Sequence, residues 1–112
     1  MNKSKILFEI ELDKDNIPEK IVWEADQKDT PGASETNAIS IALWDQNQKN
    51  TLRIDLWNKK MAVDEMKRFY VDCLGGMAQS ILNSTGDEYM SAEFDALCVK
   101  MIEHIKKENE GS

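Results

Sequence analysis

Between Trp57 and Val63 the spacing of apolar residues changes from every second position to every third or fourth, which dictates strands before that point and helices after it. Upstream, Thr51-Leu52-Arg53-Ile54-Asp55-Leu56-Trp57 alternates cleanly, as a strand with two chemically distinct faces must. Downstream, Val63, Met66, Phe69, Tyr70, Cys73, Met77 and Ile81 recur at helical steps. Segregating strands and helices along the chain in this way predicts an α+β fold.

The first half carries further alternation. Ile6, Phe8, Ile10 and Leu12 interleave with Leu7, Glu9 and Glu11, and Ile21, Trp23 and Ala25 interleave with Val22 and Glu24. Asp13-Lys14-Asp15-Asn16 supplies turn chemistry between the two runs, so an antiparallel hairpin is expected. From Asp26 to Asn37 the chain turns polar and is expected to be a solvated loop (residues 26–37), with a partner-contacting loop as the alternative. Ile39, Ile41 and Leu43 alternate with Ser40, Ala42 and Trp44, which favours a strand. The spacing of Ile39, Ala42 and Leu43 after a Thr36 or Asn37 cap also fits a short helix. With Asp45 to Asn50 as a loop, a second hairpin completes an antiparallel four-stranded sheet, followed by two C-terminal helices packed on one face. Three strands plus an extra short helix is the alternative.

Asp64 and Glu65 suit the start of the first helix by opposing its dipole. Gly75-Gly76 interrupts that helix at up to about 1 kcal/mol per glycine, which points to close packing or a kink. Asn83 to Gly86 ends it, and Asp87 or Thr85 can cap the next helix, whose stripe runs through Met90, Phe94, Leu97, Cys98, Met101, Ile102 and Ile105. Polar residues from Lys106 onward are expected to fray. At 112 residues one domain is expected, with an ordered core over 5–108 and a flexible tail over 109–112.

A net charge of -7, from 21 acidic and 14 basic residues, repels phosphate backbones and anionic lipid, so nucleic-acid binding and membrane-surface binding are disfavoured. Basic residues are otherwise scattered, with Lys59-Lys60 and Lys106-Lys107 among the adjacent pairs. Glu9, Glu11 and Asp13 break the one N-terminal stretch that a signal peptide would need, and no segment is apolar enough to insert into a bilayer. A cytoplasmic location is therefore expected. Cys73 and Cys98 lie within apolar helical stripes, as reduced packing thiols do.

No reaction centre is visible. His104 is the only histidine, and its place near a helix end beside Lys106 and Lys107 suits a solvated side chain. Neither cysteine has a basic neighbour one helical turn away, and phosphate-cradling glycine loops and a serine nucleophile elbow are absent. Glu9, Glu11 and Glu24 could gather on one sheet face, yet solubility explains them equally. Asp13-Lys14-Asp15-Asn16-Ile17-Pro18 lacks the central glycine and closing glutamate of a calcium loop. The chain is expected not to be an enzyme and to need no cofactor or metal. The alternative is a pocket between sheet and helices at Tyr70, Cys73, Met77 and Cys98, as a small-molecule binder or enzyme would have.

If hydrophobic matching sets the second hairpin's register, Ile39, Ile41, Leu43, Leu52, Ile54 and Leu56 share one face and turn toward the helices. Trp44, Arg53, Asp55 and Trp57 then share the other, a candidate surface for self-association or partner docking unless the 26–37 loop covers it.

The run Leu52-Arg53-Ile54-Asp55-Leu56-Trp57, with Lys60-Met61 and Val63-Asp64-Glu65-Met66-Lys67, resembles the gliding motility-associated GldC family of the Bacteroidetes. Glu11-Leu12-Asp13, Pro18-Glu19-Lys20-Ile21, Trp23, Trp44-Asp45 and Lys49-Asn50-Thr51 extend the likeness over residues 5 to 108, while Gly75-Gly76 departs from the family's usual helix. The resemblance implies a cytoplasmic accessory of gliding motility, a process whose envelope-spanning apparatus is linked to protein secretion, and implies no enzymatic activity. The expected role is binding to a protein of the motility or secretion machinery, with a homodimer compatible; a secretion-chaperone-like client binder is the alternative.

Overall fold

A computed structural model describes residues 2–110. The chain divides into two compact units, one ending at Ala62 and one beginning at Val63.

The first unit holds five strands: β1 (Ile6–Leu12), β2 (Pro18–Ala25), β3 (Ser34–Thr36), β4 (Ala38–Asp45) and β5 (Asn50–Trp57). They form two antiparallel sheets, β1-β2-β3 and β4-β5, rather than the single four-stranded sheet expected from the sequence. The difference arises at Ser34–Thr36, inside the segment expected to be loop, which pairs with Ile21–Trp23 and makes β2 a central strand. Ile21 consequently faces Ile10 on one side and Thr36 on the other, and its side chain is wholly buried. Residues 38–45 are strand, as their alternation favoured, and not the alternative short helix.

Both hairpin turns are closed by an aspartate. Asp13 Oδ1 accepts the N–H groups of Asp15 and Ile17 at 2.8 and 3.0 Å, and Asn16 takes the left-handed conformation that Asn tolerates, at φ 63°. Asp45 Oδ1 accepts the N–H groups of Asn47 and Gln48 at 2.9 and 3.1 Å, with Lys49 left-handed at φ 58°. Lys59 Nζ lies 3.7 Å from Asp13 Oδ2, tying the chain beyond β5 to the first turn.

The second unit is an antiparallel pair of helices, α1 (Val63–Thr85) and α2 (Glu88–Glu110). Asp64 and Glu65 occupy the first turn of α1. That helix runs unbroken through Gly75 and Gly76, so the glycines do not interrupt it. At Gly75 an added Cβ would sit 3.9 Å from Cys98 Sγ, which marks close helix packing there. The seam between the helices is built of small groups: Ala78, Ser91 and Cys98 are buried, and the Ser91 hydroxyl donates to the Ala78 carbonyl at 2.8 Å.

Gly86, left-handed at φ 72°, ends α1 by donating its N–H to the Leu82 carbonyl at 3.0 Å. Asp87 then caps α2, its Oδ1 accepting the Met90 N–H at 2.9 Å, while Thr85 Oγ1 accepts the Asp87 N–H at 3.0 Å. The helix continues through Lys106 to Glu110, where fraying was expected; residues 111–112 of the expected tail lie outside the described residues.

Candidate functional site

The β4–β5 hairpin pairs Ile39 with Leu56, Ile41 with Ile54 and Leu43 with Leu52. Because side chains alternate across a strand, Trp44, Arg53, Asp55 and Trp57 come to the opposite face, as hydrophobic matching required. Along that face the pairs run Ala38–Trp57, Ser40–Asp55, Ala42–Arg53 and Trp44–Thr51. One indole therefore sits at each end with a charged cluster between them.

The cluster is tightly bonded. Arg53 Nε donates to Asp55 Oδ2 at 3.2 Å and Nη2 donates to Asp55 Oδ1 at 2.9 Å, a two-pronged contact within one strand. Ser40, directly across from Asp55, donates its hydroxyl to Oδ1 at 2.5 Å and accepts from Arg53 Nη2 at 2.6 Å. Hydrogen bonds from Arg53 and then Ser40 hold the Asp55 carboxyl below its ordinary pKa. The charges are thus fixed in place while remaining in contact with water, the Arg53 side chain being 42% exposed.

Trp44 is 64% exposed and Trp57 is 51% exposed, so the 26–37 loop does not cover them. That segment instead serves Trp23, where Lys28 Nζ lies 4.9 Å from the ring centroid and donates to the Gly32 carbonyl at 2.5 Å. On the other face of the hairpin Ile39 is buried, whereas Leu43, Leu52 and Ile54 toward its tip remain about half exposed. Ser40 belongs to the site and was not singled out from the sequence. Writing out the same register would have placed it opposite Asp55.

Other residues with chemical potential are dispersed. Glu9 faces Val22, Glu11 faces Lys20 and Glu24 faces Leu7, so the three carboxylates share a sheet face without converging. Among the described residues no three His, Cys, Asp or Glu side chains cluster as cation ligands. His104 is exposed, its Nε2 lying 3.5 Å from Glu108 Oε1. Cys98 is buried against α1, with Sγ 3.8 Å from the Val71 carbonyl. A shallow apolar groove of about 390 Å³ runs along the helix pair between Tyr70, Leu74, Leu97, Met101 and Ile105. Of the four residues expected to meet in a pocket only Tyr70 lines it; Cys73, Met77 and Cys98 do not.

These features define an α+β protein with segregated strands and helices and an exposed aromatic and charged hairpin face. The chain belongs to the family described as gliding motility-associated protein GldC-like, which matches residues 18–107, from the start of β2 to the last turn of α2. No curated protein and no solved structure matches the chain. Among the described residues no helix is long and apolar enough to cross a membrane.

Proposed function

We propose that this protein is a cytoplasmic accessory of gliding motility that acts by docking a protein of the motility or secretion machinery on the outer face of β4–β5, with no catalytic step of its own. Trp44 and Trp57 support this reading most directly: two large apolar side chains stand in water on either side of a rigid Arg53–Asp55–Ser40 cluster. Exposed indoles lose much unfavourable hydration when a partner covers them, and prearranged charges select that partner at little ordering cost. The net charge of -7 favours a partner whose contact surface is basic or apolar.

Replacing Trp44 and Trp57 together by Ala tests the reading. Co-purification with motility and secretion proteins from the native host should disappear while the circular dichroism spectrum stays unchanged. Retention of the same partners by this folded variant would refute the proposed face.

A further inference from the structure

The β4–β5 sheet has two strands only, so the outer edge of β5 carries no neighbouring strand among the described residues. Which backbone groups line that edge follows from the ladder. Asn58 donates its N–H to the Asn37 carbonyl at 3.0 Å, one step beyond the Ala38–Trp57 pair. Hydrogen-bonded pairs alternate along an antiparallel ladder, so Ile39–Leu56, Ile41–Ile54 and Leu43–Leu52 are the bonded pairs. The N–H and C=O groups of Thr51, Arg53, Asp55 and Trp57 therefore point outward, away from β4.

That edge is complementary to itself. Around Ile54 the sequence reads Leu52-Arg53-Ile54-Asp55-Leu56, symmetric in its apolar residues and opposite in its charges. We propose that β5 pairs antiparallel with β5 of a second copy, the two-fold axis passing through Ile54. Arg53 of each copy then lies directly across from Asp55 of the other, Leu52 across from Leu56, and Thr51 across from Trp57.

The backbone agrees with this register independently of the side chains. Arg53 with Asp55, and Thr51 with Trp57, become the hydrogen-bonded pairs across the axis, and those are the residues whose backbone groups face outward. Ile54 meets Ile54 of the second copy as a non-bonded pair. Moving the axis by one residue puts Arg53 against Arg53 or Asp55 against Asp55, and like charges directly opposite one another destabilise a strand pair. Moving it by half a residue sets apolar side chains against charged ones.

An antiparallel pair has its two-fold axis perpendicular to the sheet, so both copies show the same face on the same side. The product is a four-stranded sheet, β4-β5-β5-β4, with both Arg53–Asp55 clusters at its centre. The exposed edge, which on a free strand invites uncontrolled pairing, is consumed by one specific partner. This pairing stands on strand geometry and does not depend on the docking role proposed above.

Sedimentation equilibrium of the full chain should give twice the 12.8 kDa chain mass. Arg53→Asp alone, or Asp55→Arg alone, should weaken the dimer about tenfold or more by facing like charges. Combining R53D with D55R should restore it; because the swap also rebuilds the ion pair within the strand, unchanged circular dichroism of the two single variants separates lost pairing from lost folding. Ile54→Cys adds a check on the register, because non-bonded antiparallel pairs lie about 4.5 Å apart at Cα, within disulfide reach. Mild oxidation of I54C should give a covalent dimer that the wild-type chain, with its own Cys73 and Cys98, does not give. A single-chain mass at roughly millimolar concentration, a dimer indifferent to the single charge reversals, failure of the double reversal to restore pairing, or no I54C cross-link would each overturn the proposal.

Discussion

Asn58 binds Asn37 twice at the open end of the β4–β5 hairpin: its backbone N–H donates to the Asn37 carbonyl and its Nδ2 donates to Asn37 Oδ1, both at 3.0 Å. Asn58 is only 2% exposed, and its own Oδ1 accepts the Lys60 N–H at 3.0 Å, so the side chain both closes the ladder and shapes the exit from β5. Asn58→Ala leaves the Lys60 N–H and Asn37 Oδ1 without these partners. A loss of about 1–2 kcal/mol is expected, because two part-buried hydrogen bonds of the usual net worth are removed together. Urea unfolding followed by fluorescence should show a lower midpoint with an unchanged slope; an unchanged midpoint would mean water replaces the side chain freely.

Lys49 closes the other end of the same hairpin in a left-handed conformation, with φ 58° and its N–H donating to the Asp45 carbonyl at 2.8 Å. An L side chain with a Cβ pays for that geometry, whereas glycine does not. Lys49→Gly is therefore expected to raise stability by up to about 1 kcal/mol, visible as a higher thermal midpoint. Asn16→Ala at φ 63° in the first turn should move the midpoint the opposite way, since alanine cannot form the local side-chain bonds that make Asn tolerant there.

The β4–β5 register was legible because Ile and Leu occupy matching alternate positions on both strands and an Asp-closed loop joins them, leaving one pairing that keeps the apolar residues on one face. Ser34–Thr36 was not legible: its contribution is backbone pairing to β2, and Ser, Glu and Thr carry no hydrophobic alternation to announce it. Gly75-Gly76 was legible in part: the pair pointed to close packing or a kink, and a Cβ at Gly75 would lie in contact with Cys98 Sγ. The end of α2 was not legible. Glu108 is held by Lys67, 41 positions away in sequence, through bonds of 2.8 and 3.0 Å that no local pattern reveals.

Acid should destabilise both units through carboxylates held by hydrogen bonds. Asp13 is shifted below its ordinary pKa by the Ile17 and Asp15 N–H groups, Asp55 by Arg53 and Ser40, and Glu108 chiefly by Lys67. Between the folded and unfolded values the unfolded chain binds more protons than the folded one, so stability falls as pH falls. The contribution is complete above the unfolded range, roughly pH 4, and is lost as pH drops through the folded values. Denaturant midpoints measured from neutral pH downward should hold steady and then decline below that range. Asp13→Asn should make the decline shallower, because a carboxamide does not titrate. A decline equally steep in this variant would exclude Asp13 from the acid response.

Gly75 and Gly76 are neighbours in α1 with different surroundings, so a pair of substitutions at each separates helix propensity from packing. A Cβ at Gly75 would make ordinary contact with Cys98 Sγ at 3.9 Å, and one at Gly76 would meet nothing within 4 Å. Alanine therefore fits at both sites, and each Gly→Ala change should stabilise the helix by up to about 1 kcal/mol by reducing the freedom of the unfolded chain. Larger side chains distinguish the positions. Gly75→Leu must push atoms beyond Cβ into the seam that Cys98 occupies, at a cost of about 1–3 kcal/mol for overpacking, whereas Gly76→Leu should retain most of the alanine gain. Thermal unfolding of the four variants checks the order: G75L below wild type, the other three above it. If G75L melted with G75A, the close approach of Cys98 to α1 would be no constraint on the seam, and the glycine there would reflect nothing more than tolerance of a weak helix former.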